Sequence, residues 1–133
     1  MSDDAPLDLD WVRPCLAIGS RWAIGDVARL AREHGVRHAV DVRAECCDDA
    51  ALLDAHGVSL LSLPTEDNAA IAADAIDLGV GWIGARLARD ERVLVHCEHG
   101  IGRSALLVLC VLVAGGAPPL GALAELKRAR API

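Results

Sequence analysis

Val93-Leu94-Val95-His96-Cys97-Glu98-His99-Gly100-Ile101-Gly102-Arg103-Ser104-Ala105-Leu106-Leu107 is the stretch that decides how this chain folds. Three apolar β-formers run into His96 and Cys97. A short loop with two glycines follows, then Arg103, a hydroxyl residue and an apolar run that reads as a buried helix. This order sets a thiol at the carboxyl end of a strand and the amino end of a helix. Orphan backbone N–H groups and the positive end of the helix dipole converge there. Such a place lowers a thiol pKa and gathers an oxyanion. The stretch reads as a thiolate set against a phosphate-like group.

Working outward, residues 12–18 form a strand or hairpin stopped by Gly19-Ser20. Residues 24–34 carry helical periodicity with Gly35 as C-cap, and 38–42 are a short apolar strand. A helix begins at Asp48-Asp49 and closes at Gly57; the strand 58–63 after it ends at Pro64. Asn68 is placed to cap a long helix over 69–89, whose middle Gly79, Gly81 and Gly84 weaken. The central strand 92–96, the buried helix 103–114 and a last helix over 120–130 complete the chain. Alternating strands and helices predict an α/β fold: a small mixed, largely parallel sheet of four to five strands flanked by helices. Ligands of such sheets bind beyond the carboxyl ends of the strands. Cys97, Arg43 and Asp67 all map to that edge. The Asp-rich residues 1–10 are expected to fray, leaving 11–133 as one domain.

His96-Cys97-(five residues)-Arg103-Ser104 resembles the active-site loop of the cysteine-dependent protein tyrosine phosphatases, and the short chain points to their dual-specificity branch. Cys15-Leu16-Ala17-Ile18-Gly19-Ser20 is similar to that family's early "LYLGS" strand, and Val40-Asp41-Val42-Arg43 to its next core strand. Leu63-Pro64-Thr65-Glu66-Asp67-Asn68 resembles its general-acid loop, and residues 122–132 its final helix and "RP" end. The resemblance spans roughly residues 12–132, and the cysteine loop is its specific part.

Each residue then takes an expected role. Cys97 is the nucleophile, attacking phosphorus to give a phosphocysteine that water hydrolyses. Arg103 holds two phosphoryl oxygens with its planar fork; a cation at a helix amino terminus otherwise opposes the dipole and needs an anion to offset it. Gly100 and Gly102 let the loop turn its N–H groups inward, and Glu98, His99 and Ile101 add backbone donors with their side chains outward. Ser104 either donates to the thiolate or is an ordinary N-cap; both readings stand. His96 orients the loop. The resemblance implies an aspartate general acid, which selects Asp67, thirty positions ahead of Cys97, with Glu66 next. Asp41 reads as structural, and Arg43 as positive potential at the pocket mouth. Cys46, Cys47 and Cys110 read as loop and core residues; capture of an oxidised Cys97 by one of them is the weaker alternative.

The chain contains no Tyr or Phe and three Trp, at 11, 22 and 82. It has no counterpart to the aromatic loop with which the large tyrosine-specific members grip phosphotyrosine, so a shallow pocket accepting more than phosphotyrosine is expected. Trp22 is placed to flank the mouth and Trp82 to pack under the sheet. Phosphoinositide-specific members carry lysines in the loop, and this loop has none.

At 133 residues, 53% hydrophobic and 24% charged, the composition is that of a soluble globular domain. The apolar run 105–114 is too short to span a bilayer. No signal-like apolar segment opens the sequence, so cytoplasmic residence is expected, with the five irregularly spaced cysteines reduced and no disulfide or zinc framework. A net charge of −6 without a basic run disfavours nucleic acid and anionic membranes as partners. No cofactor or metal is called for. The expected substrate is a phosphorylated protein, with a small phosphorylated metabolite or an RNA 5′-phosphate as the alternative. A homodimer is the partner weighed for the surface beyond the last helix. A rhodanese-like sulfur transferase and a non-catalytic phosphate-binding module remain as other classes; Ser104 and Asp67 favour the phosphatase over the former.

Overall fold

The structure, a computed structural model, describes residues 5–133. Strands β1 (Leu9–Arg13) and β2 (Leu16–Gly19) form a hairpin, followed by a 3₁₀ turn (Arg21–Ala23) and helix α1 (Val27–His34). Then come β3 (Val36–Arg43), α2 (Ala50–Ala55), β4 (Ser59–Thr65), α3 (Ala73–Leu87), β5 (Arg92–His96), α4 (Arg103–Ala114) and α5 (Pro119–Ala129). One sheet results, ordered β1-β2-β5-β3-β4. The β1–β2 pair is antiparallel and the other three pairs are parallel. The mixed, largely parallel sheet therefore has five strands, with β5 at its centre.

Period-2 alternation divides the core into two layers. Leu16 and Ile18 of β2, Val40 and Val42 of β3, and Val93 and Val95 of β5 face one way, packing with Ile83 of α3, Leu107, Val108 and Val111 of α4 and Leu126 of α5. Ala17 and Leu94 face the other way, toward Leu30 of α1, and Ala39 packs with Val27 and Leu53. Helix α4, buried along most of its length, lies directly behind β5. Gly79 lets α3 approach it: a Cβ there would sit 3.0 Å from side-chain atoms of both Leu107 and Leu63.

Three elements differ from expectation. Asn68 does not cap the long helix; it turns the chain at φ 61°, and α3 starts only at Ala73. Residues 66–72 are thereby left as a loop above the sheet edge. Pro64 lies inside β4, because β4 is an edge strand and can spare an N–H. The frayed segment expected over 1–10 is corrected at its end: β1 begins at Leu9, and Asp8 and Asp10 are ion-paired with Arg130. The part of that expectation falling on residues 1–4 lies outside the described residues. Among the described residues no helix is long and apolar enough to cross a membrane.

Candidate active site

The parallel strands β2, β5, β3 and β4 deliver their carboxyl ends to one edge, where Gly19 pairs with His96, Asp41 with His96, and Arg43 with Thr65. The segments leaving that edge carry Cys97, then Glu45 and Asp48, then Asp67. A cavity of about 310 Å³ lies there, lined by Asp67, Asn68, Cys97, His99, Ile101, Gly102 and Arg103. A larger groove of about 500 Å³ between α3 and α4 is lined by Leu16, Val80, Gly81, Leu87 and Val111 among others; of its lining only Arg13 is charged, so the chemistry belongs to the smaller cavity.

Cys97 is 3% exposed. Burial opposes its ionisation, but the Ser104 hydroxyl and the N–H groups of Ser104, Gly100 and His99 outweigh it, and the thiol pKa is lowered. Ser104 Oγ lies 3.1 Å from Sγ, and the Gly100 N–H donates to Sγ at 3.2 Å. The N-cap of α4 is Gly102, with no side-chain capping bond, so the capping alternative for Ser104 falls away. Gly100 has φ 73°, and a Cβ on it would meet the Gly19 carbonyl oxygen at 2.5 Å. Gly102 has negative φ and open space around a Cβ, so Gly100 is the glycine that the loop geometry demands.

Arg103 is buried at the start of α4. Its Nη1 and Nη2 donate to Glu45 Oε1 and Oε2 at 2.6 and 2.8 Å, and Nη1 also to the Thr65 carbonyl at 2.8 Å. Those bonds occupy the end-on fork of the guanidinium and leave the side-on fork, Nε with the second Nη2 proton, for an anion. Glu45 is held down to about 2 chiefly by its hydrogen bonds from Arg103. Asp67 Oδ1 lies 3.7 Å from Nη2; its side chain is 62% exposed at the mouth and accepts from the Asn68 N–H at 3.0 Å. Glu66 is exposed and absent from the cavity lining.

Beneath the loop, His96 is inaccessible to solvent, and its Nε2 donates to Asp48 Oδ2 at 2.5 Å. Asp41, also inaccessible, accepts from the Arg43 N–H and side chain and from the Asp48 N–H. The ladder between β3 and β4 slips between Asp41 and Arg43, and Asp41 Oδ1 takes the Arg43 N–H there. Arg43 does not supply potential at the mouth. It is buried between Asp41 and Asp48, which neutralise it, with Glu98 at 3.6 Å. Asp41, Asp48 and His96 bring three ligand-type atoms within 4.8 Å of one another, and Arg43 already serves the two carboxylates as cation.

Glu98 turns outward to pair with Arg21 at 2.6 Å, and its carbonyl accepts from the Arg21 N–H. This sets the 3₁₀ turn, with exposed Trp22 stacked under the Arg21 guanidinium, beside the loop. His99 and Ile101 are exposed. Trp82 packs half-buried against the core with Arg86 over its ring. Cys46 and Cys47 are exposed, contacting the Cys47 carbonyl and Ser62 Oγ respectively, while burial pushes the Cys110 thiol up. Sequence reasoning missed Glu45, took Asp48 for a helix start, and read Arg130 only as part of a helix end. The available signal was position: Glu45 and Asp48 follow directly on a parallel strand at its carboxyl end.

A family model described as a polymorphic toxin system DSP-PTPase phosphatase matches residues 17–117. The chain belongs to this family, within the dual-specificity branch of the cysteine-dependent phosphatases. Among curated proteins it is similar to the protein tyrosine phosphatase PRL-1 of Leishmania major, 31% identical over 108 residues, covering 74% of this chain and 61% of that one. The chain thus spans less than two thirds of that relative's length. Among solved structures, human DUSP28 is 28% identical with TM-score 0.78, covering 97% of this chain and 85% of that one. Tk-PTP in its active form, 24% identical with TM-score 0.83 over 93% and 85% of the two chains, shares the fold.

Proposed function

We propose that the protein hydrolyses phosphate monoesters on phosphorylated proteins, phosphotyrosine and also phosphoserine or phosphothreonine, through a phosphocysteine intermediate. The observation that carries this reading is the pairing of Cys97, its sulfur receiving the Gly100 N–H and the Ser104 hydroxyl, with a guanidinium that Glu45 holds end-on, Asp67 standing 3.7 Å from Nη2. Loop N–H groups and that guanidinium bind the phosphoryl oxygens and strengthen their hold as charge builds in the transition state. The thiolate attacks phosphorus in line, and Asp67 protonates the leaving oxygen. Asp67 then accepts a proton from the water that cleaves the phosphocysteine. The Ser104 hydroxyl stabilises the sulfur as it departs.

The cavity lining includes His99, Ile101 and Asn68 and no Tyr, Phe or Trp, which supports acceptance of more than one phosphorylated side chain. The test is turnover of an aryl phosphate without added metal by the wild-type protein and by Cys97→Ser. Loss of turnover in the variant, with phosphopeptide binding retained, is expected. Turnover that survives in Cys97→Ser, or sulfur transfer from thiosulfate in place of phosphate release, would overturn it.

A further inference from the structure

Arg130, the residue after α5, reaches back to the cysteine loop with a side chain 7% exposed. All four of its terminal N–H groups are engaged. Nη1 and Nη2 grip Asp8 through Oδ1 and Oδ2 at 3.1 and 3.0 Å, Nη1 also donates to Asp10 Oδ2 at 2.8 Å, and Nη2 to the His99 carbonyl at 3.0 Å. The His99 carbonyl and the Gly100 N–H are opposite ends of one peptide group, and that N–H donates to Cys97 Sγ at 3.2 Å. A trans peptide is planar, so fixing its carbonyl fixes the direction of its N–H. Cationic pull on the carbonyl also polarises the amide and strengthens its donor end.

We propose that Arg130 is a positioning residue for the nucleophile: by holding the His99 carbonyl it turns the Gly100 N–H onto the Cys97 sulfur. Asp8 and Asp10 complete the device. They neutralise a guanidinium that would otherwise be buried uncompensated, and they take three of its four terminal N–H groups, so that the fourth is directed at the loop. Gly100 is part of the fit, since a Cβ there would lie 2.9 Å from Arg130 Nη2. Asp8, Asp10 and Arg130 all lie outside residues 17–117, the part of the chain that matches the family model. The inference rests on the reading of Cys97 as nucleophile.

The test is the pH profile of Cys97 alkylation by iodoacetamide, followed by mass spectrometry of the Cys97 peptide, in Arg130→Met, Arg130→Lys and a control, Arg13→Met. Arg13 pairs with Glu125 and so also ties β1 to α5, but among the described residues no hydrogen bond or ion pair joins it to the cysteine loop. The other groups facing the sulfur, Ser104, the His99 and Ser104 N–H groups and Arg103, are the same in all variants, as is Asp67 beside Arg103. In Arg130→Met the titration moves upward and alkylation on its acid side falls about tenfold, the equivalent of one pKa unit. Arg130→Lys keeps a charge for Asp8 and Asp10 but has no planar fork to reach the carbonyl, so it shifts the same way. Arg13→Met keeps the wild-type profile.

A wild-type profile in folded Arg130→Met overturns the proposal, as does an equal shift in Arg13→Met. Should Arg130→Met fail to fold, the profile of Arg130→Lys decides: a shift supports the proposal and a wild-type profile overturns it. Alkylation needs no turnover, so aryl phosphate hydrolysis measured on the same samples judges the phosphatase reading separately.

Discussion

Replacing Glu45 by Gln should separate an aid to Arg103 from a competitor for it. The carboxylate takes Nη1 and Nη2 at 2.6 and 2.8 Å, and the Thr65 carbonyl alone would remain within hydrogen-bond distance after its loss. A Gln can accept from one nitrogen but turns a donor toward the other. Arg103 thus loses one charge-assisted bond and regains part of its rotamer freedom. A bond to a charged group is worth about 1.5–3 kcal/mol when shielded, and an exposed ion pair about 0.2–1 kcal/mol. Glu45 is 41% exposed while Arg103 is buried, which sets the expectation between those ranges. A loss of about 1.4 kcal/mol corresponds to about tenfold. Steady-state kinetics on an aryl phosphate should show kcat/KM down about tenfold, with inorganic phosphate inhibiting correspondingly less well. Cys97 alkylation should change less than kcat/KM, because the hydrogen bonds that lower the thiol pKa come from Ser104, Gly100 and His99. Unaltered kcat/KM and phosphate inhibition would refute the positioning role. Tighter phosphate binding in the variant would show that Glu45 competes with substrate for the guanidinium.

Asp67→Asn should slow alkyl phosphates about a hundredfold to ten-thousandfold while sparing nitrophenyl phosphate, whose leaving group departs unaided; equal losses on both would remove Asp67 as the acid. Ser104→Ala removes the largest of the contacts that lower the Cys97 pKa, so the acid limb of the kcat/KM profile, which follows thiolate formation, should move to higher pH; a stationary limb would contradict it. Gly100→Ala forces a Cβ into the Gly19 carbonyl at positive φ, so both the melting temperature and kcat/KM should fall, with at least about 1 kcal/mol of strain from the left-handed backbone alone.

The part of this protein written most plainly in its sequence is the part built from consecutive residues. The strand, the cysteine loop and the helix adjoin one another, so apolar runs and two glycines sufficed to set β5 and to bound α4 at 103–114, as observed. Local chemistry was a poorer guide where two conformations compete, as at Asn68, which adopts a left-handed turn in place of a cap. What the tertiary structure alone decided is which charges meet. Glu45 and Arg103 are 58 positions apart, Asp48 and His96 are 48, and Asp8 and Arg130 are 122. These pairs form because the order β2-β5-β3-β4 brings distant strand ends to one edge, and because α5 packs on β1. Ion pairing has no period along a chain. An aspartate that reads as a solvated terminus and one that anchors a buried arginine are the same residue until the sheet is assembled.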